Sequence, residues 1–69
     1  MHQVIHVIHR IQYNEYFKKA KELGGYLIDQ PFPMADYDFP GSTRIAFEFP
    51  DTEKGDKYYE WGIKNNKHK

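Results

Sequence analysis

Polar and apolar residues alternate most regularly from Ser42 to Phe49, where Ile45, Phe47 and Phe49 interleave with Arg44, Ala46 and Glu48. A period of two predicts a strand with one buried face. The opening run, His2 to Ile11, is richer in β-branched residues but repeats at a period of three, Val-Ile-His, Val-Ile-His, Arg-Ile-Gln. Helical geometry would gather Val4, Val7, Ile8 and Ile11 on one face and His2, His6 and His9 on another. The restricted χ1 angles of valine and isoleucine in helices, and the lack of a cap before the run, favour a strand instead. Such a strand presents Gln3, Ile5, Val7, His9 and Ile11 on one face and His2, Val4, His6, Ile8 and Arg10 on the other. The odd-numbered set reads as the core face.

Asn14 reads as a helix N-cap, with Glu15 in the first turn, Lys18, Lys19 and Lys21 further along, and Gly24-Gly25 as the stop. The predicted helix runs from about Glu15 to Leu23, with Tyr16, Phe17, Ala20 and Leu23 as its apolar stripe. Gly25 to Asp29 is a short strand candidate. From Gln30 to Gly41 three prolines and three aromatics fall within twelve residues, which blocks both helix and strand. Beyond Phe49, Pro50 to Asp56 holds turn residues, and Lys57 to Ile63 alternates again, Tyr59, Trp61 and Ile63 against Tyr58, Glu60 and Gly62. This predicts a hairpin; a helix over Thr52 to Trp61 is the rival, weakened by Gly55 in its middle. The expected architecture is therefore α+β, in the order β-α-β-β-β, with one helix packed on a mostly antiparallel sheet of three to four strands over residues 1–63. Residues 64–69 read as a polar tail.

Composition narrows the setting. Sixty-nine residues make a single domain near the size at which one core just suffices. The chain has no cysteine, so neither disulfides nor thiolate zinc ligands reinforce it, and a reducing cytoplasmic setting is expected. No apolar run approaches the ~20 residues that span a bilayer, and no signal-peptide pattern opens the chain. Aromatics at 17% supply large contact area from few residues. Net charge is zero but polarised: four basic and two acidic residues lie in 1–25, three and eight in 26–60, and three and none in 61–69. That distribution suits a protein partner better than a phosphate backbone, which needs a concentrated basic footprint. Eight lysines against two arginines point towards an AT-rich genome such as that of a phage or mobile element.

Chemistry has few candidates. His2 and His6 would stand about 13 Å apart on a strand, too far to share a metal ion. Ser42 lacks the two-sided glycine pattern of a nucleophile elbow. Asp36 and Asp38 lack the glycine and terminal glutamate of a calcium loop. No catalytic, cofactor or metal site is expected. The 30–41 segment is the leading functional candidate: Phe32, Tyr37 and Phe39 on a proline-stiffened loop, beside Asp36 and Asp38, would form a preorganised aromatic and acidic docking surface. Asp51, Glu53 and Asp56 in the next loop extend its negative charge. The expected function is protein binding, of a kind that would suit an inhibitor or host-interaction factor, with a second copy of the chain as another partner. Single-stranded nucleic acid is the second choice, on an open sheet face displaying His2, His6, Arg10, Arg44, Glu48, Tyr58 and Glu60, with the basic tail beside it.

Overall fold

A computed structural model describes residues 2–29, 31–33 and 41–66. Strand β1 (His2–His9) leads through a 3-10 turn (Arg10–Gln12) into helix α1 (Tyr13–Glu22), then two-residue strands β2 (Tyr26–Leu27) and β3 (Phe32–Pro33), strand β4 (Ser42–Phe49) and helix α2 (Thr52–Asn65). The fold is α+β. Strand β4 lies at the centre of an antiparallel sheet, with β1 along one side and the short β2 and β3 sharing the other. The sheet is thus three strands wide, and both helices pack on one of its faces. No helix among the described residues is long and apolar enough to cross a membrane.

Two expectations are corrected. The segment read as the last hairpin strand is helical, so the order is β-α-β-β-β-α, with Phe32–Pro33 supplying the third strand and a second helix joining the first. Asp51 caps this helix, its carboxylate accepting from the Lys54 N–H at 2.9 Å. Gly55, which argued against a helix, is buried where a Cβ would overlap the His2 ring, and Gly62, one heptad later, is buried where a Cβ would overlap the ring of His6. Glycine's propensity cost is accepted here because only a hydrogen side chain lets the helix descend onto the strand. The helix also runs through Lys64 and Asn65, beyond the expected domain boundary.

The second correction concerns the buried face of β1. Val4, His6 and Ile8 are buried, whereas Ile5 is 46% and Ile11 72% exposed. The deciding element is β4, whose only large apolar side chains, Ile45, Phe47 and Phe49, lie on one face and are fully enclosed. The register pairs His2 with Phe49, Val4 with Phe47 and His6 with Ile45, so the even residues of β1 share that face. β1 carries β-branched residues on both faces and follows its neighbour.

Helix α1 begins earlier than expected, and Asn14 lies inside it. His9, expected in the core, instead caps the 3-10 turn, its Nδ1 accepting from the Ile11 N–H at 3.3 Å. The stop is as predicted: Gly24 takes φ +83°, and the Gly25 N–H donates to the Ala20 carbonyl at 2.8 Å. The 3-10 turn and α1 together cap α2. Tyr16 donates its hydroxyl to the Gly62 carbonyl at 2.6 Å, and Gln12, 1% exposed, donates to the Asn65 carbonyl at 2.7 Å. Both carbonyls lie in the last turn, where no intrahelical donor is available.

Replacing Gly62 by alanine tests the close approach. A free helix would gain about 1 kcal/mol from Gly62→Ala, but collision with the His6 ring should reverse the sign to a net loss of about 1–3 kcal/mol in urea unfolding. In a double-mutant cycle, His6→Ala should relieve much of that loss; additive effects would show that the two residues do not press on one another.

Candidate functional site

Strand β1 is both the edge of the sheet and the floor beneath α2, and three hydrogen bonds show which way its backbone groups point. The Arg10 N–H donates to the Gly41 carbonyl at 2.8 Å, in register with the β1/β4 ladder, so even-numbered residues of β1 face β4. On the far side of β4, Ile28 N–H reaches the Ala46 carbonyl at 3.0 Å, which turns even residues of β4 towards β2 and odd ones towards β1. The Asn66 side-chain amide donates to the Val7 carbonyl at 3.2 Å, from outside the sheet. Gln3, Ile5 and Val7 therefore aim their N–H and C=O groups away from β4. Among the described residues no hydrogen bond reaches those of Gln3 and Ile5, nor the Val7 N–H.

A cleft of about 310 Å³ opens beside this edge, lined by His2, Gln3, Val4, Ile5, Asp56 and Tyr59. Its floor is the outer edge of β1 and its wall the flank of α2. Tyr59, half exposed, stacks on His6 with ring centroids 5.6 Å apart and planes 15° from parallel. Asp56 Oδ1 stands 3.5 Å from His2 Nε2 in the cleft, and further along β1, outside it, Asn66 holds the Val7 carbonyl. The cleft thus lies along the start of β1, from His2 to Ile5, against the first half of α2.

Behind the cleft lies an aromatic cluster. The His6 ring meets Tyr16 and Tyr58 edge-on at 5.6 and 5.3 Å, and Tyr16 in turn meets Trp61 at 4.9 Å. His6 Nε2 and the Tyr58 hydroxyl are buried with no hydrogen-bond partner among the described residues. Burial pushes the His6 imidazole below its ordinary 6.5, against a backbone hydrogen bond with Tyr58 that pulls it up. Tyr16 is pushed up to about 12, by burial and then by the charge of Glu15, and Tyr58 is pushed up by burial and by Tyr16. These groups stay neutral at physiological pH. Among the described residues no three histidine, aspartate or glutamate side chains stand close enough to hold a metal ion.

The residues expected to dock a partner fare unevenly. Asp36, Tyr37, Asp38 and Phe39 lie outside the described residues, and Phe32 belongs to β3, where its backbone pairs with Arg44. Asp51, Glu53 and Asp56 all fall at the start of α2, but with separate tasks: Asp51 caps the helix, Glu53 meets Lys57 at 3.6 Å, and only Asp56 reaches the cleft. The surface expected for nucleic acid does not assemble. His6 and Tyr58 are buried beneath the helices, Glu60 projects from α2, and Arg44 and Glu48 lie on the opposite sheet face. Gln3, Ile5 and Tyr59 were not expected to form a site. The available signal was the uncharged character of β1; its position at an edge is a property of strand order.

The buried histidine makes stability depend on pH with a definite sign. The folded state keeps His6 neutral to a lower pH than the unfolded chain does, so the unfolded chain binds more protons below about 6.5. Stability from this source is complete above that value and is lost as pH falls through the folded pKa. Urea melts between pH 7.5 and 5 should lose midpoint in the native protein and lose less in His6→Asn. Titration of the His6 ring by NMR should give a midpoint below 6.5; one at or above it would contradict the burial.

No protein family, curated protein or solved structure matches this chain, and its site is read from its own geometry.

Proposed function

We propose that the protein is a binding module for other proteins, and that it takes an extended segment of its partner as an added strand along the outer edge of β1. The observation that carries this reading is the edge itself. Strands left at the rim of a sheet usually carry lysine, proline, a bulge or inward charge that blocks further pairing. Residues His2–His9 contain no lysine, arginine, aspartate, glutamate or proline, and their register with β4 runs without a bulge from His2 to His9. Beside that edge α2 provides the wall of a cleft. In strand addition, main-chain hydrogen bonds supply affinity and alternate side chains in neighbouring pockets supply specificity. Both elements are present here.

The reading keeps protein binding as the function and moves its seat from the 30–41 segment to β1. Single-stranded nucleic acid is the weaker reading, because arginine and aromatic side chains are not gathered on one open surface. An inhibitory role follows naturally if the captured segment is one that its owner needs free.

Proline separates docking from folding. The Ile5 N–H points outward, so Ile5→Pro removes a docking donor without removing a β1/β4 bond, and edge strands accept proline in that orientation. Selection of random peptides displayed on a surface should enrich β-branched, extended sequences on the native protein and none on Ile5→Pro, with melting temperatures within a few degrees. Val4→Pro, which deletes a ladder bond, should cost about 3 kcal/mol or more. Peptides retained by a folded Ile5→Pro protein would move the site elsewhere.

A further inference from the structure

The geometry points to a lone extended segment bearing lysine or arginine beside Asp56 as the occupant of the β1 edge, and excludes antiparallel pairing of β1 with β1 of a second copy. This inference rests on the strand-addition reading and names its partner class.

A second copy is the first occupant to consider, since β1 could pair with itself. In an antiparallel pair of identical strands the two-fold axis runs through the sheet, so both copies place α2 on the same face. The rings of His2 and His6 lie directly beneath Gly55 and Gly62, which sets the axis of α2 over β1 itself. Paired strands stand about 4.8 Å apart, and packed helices need about 8–10 Å between axes. Two copies joined edge to edge would drive their α2 helices into one another. The helix that completes the core therefore also guards the edge against self-pairing, the task that charged residues perform elsewhere. A segment with no helix above it meets no such barrier.

The cleft then selects among segments. Residues of an added antiparallel strand that stand opposite Gln3 and Ile5 exchange main-chain hydrogen bonds with them and turn their side chains to the open sheet face, next to the exposed Ile5. The residue opposite Val4 turns towards α2 and enters the cleft between Asp56 and Tyr59. Among the described residues Asp56 is the only carboxylate lining that cleft, its side chain is 60% exposed, and neither lysine nor arginine lines it. A lysine or arginine there lays its methylenes and charge along the Tyr59 ring and brings its head to Asp56. Addition ends at Val7, whose carbonyl already accepts from Asn66. The preferred sequence is short and alternating, apolar to the open face with a central basic residue to the helix.

The probes are three acetylated, amidated pentapeptides, Thr-Val-X-Val-Thr, with X lysine, norleucine or glutamate, titrated into the full chain at low salt and followed by amide shifts. The lysine peptide should bind roughly three- to tenfold more tightly than the glutamate peptide, the scale of an exposed charge contact changing sign, with norleucine between. Asp56→Asn should level the three and Asp56→Lys should invert their order. Equal binding of all three by the native protein overturns the basic preference and leaves strand addition standing. Failure of all three to shift Gln3 and Ile5 overturns both. Light scattering should give the mass of one chain; a dimer with β1-to-β1 contacts by NMR would overturn the exclusion of a second copy.

Discussion

The contact between α2 and β1 determines most of what this small protein is. Two glycines seven apart on a helix rise about 10 Å, and two histidines four apart on a strand span about 13 Å. The two spacings are close enough for both glycines to sit over both imidazoles. This seating buries His6, stacks Tyr59 on its outer face, carries Tyr58 into the apolar cluster with Phe47 and Phe49, and brings the Gly62 carbonyl to the Tyr16 hydroxyl. It also sets the lateral position of α2, directly over the outermost strand. A chain of this size has little core to spare, and here one interface serves as core, helix cap and wall of the cleft.

The cost of that arrangement lies in polar groups. His6 Nε2 and the Tyr58 hydroxyl are buried with no partner among the described residues, and such groups are uncommon in folded proteins. Each imidazole lies against a point of the helix that has no side chain. A smaller apolar residue would leave space beneath Gly62, and a larger one would lift the helix. A planar side chain of this size fits the gap, while its nitrogen loses water.

How much of this could be read from the sequence depends on whether the decisive contact is local. Strand β4 was legible, because its period of two coincides with complete burial of Ile45, Phe47 and Phe49. The end of α1 was legible, because a left-handed turn at Gly24 is a backbone requirement. The class α+β followed from these. The parity of β1 was not, since its triplet repeat places β-branched residues on both faces and β4 decides between them. Helix α2 was misread for a physical reason: Gly55 and Gly62 cost a helix stability when it stands alone, and they become necessary only when His2 and His6 lie beneath. The docking surface expected on the aromatic loop lies mostly outside the described residues, and the strand edge proposed as a docking site is created by strand order, which no local pattern announces. Even so, the lack of charge across His2–His9 was in plain view.

Helix and strand together leave an outer edge that no other described residue pairs with, and the proposed function takes that edge as the place where a partner strand is added. On that proposal the chemistry of the site is that of the main chain, with Asp56 and Tyr59 beside it to choose the sequence. Amide hydrogen exchange in the free protein tests this most directly. Exchange should alternate along β1: slow at Val4, His6 and Ile8, whose N–H groups pair with β4, and fast at Gln3, Ile5 and Val7. Uniform slow exchange from Gln3 to Val7 would mean that the edge is already paired, and would contradict the proposal.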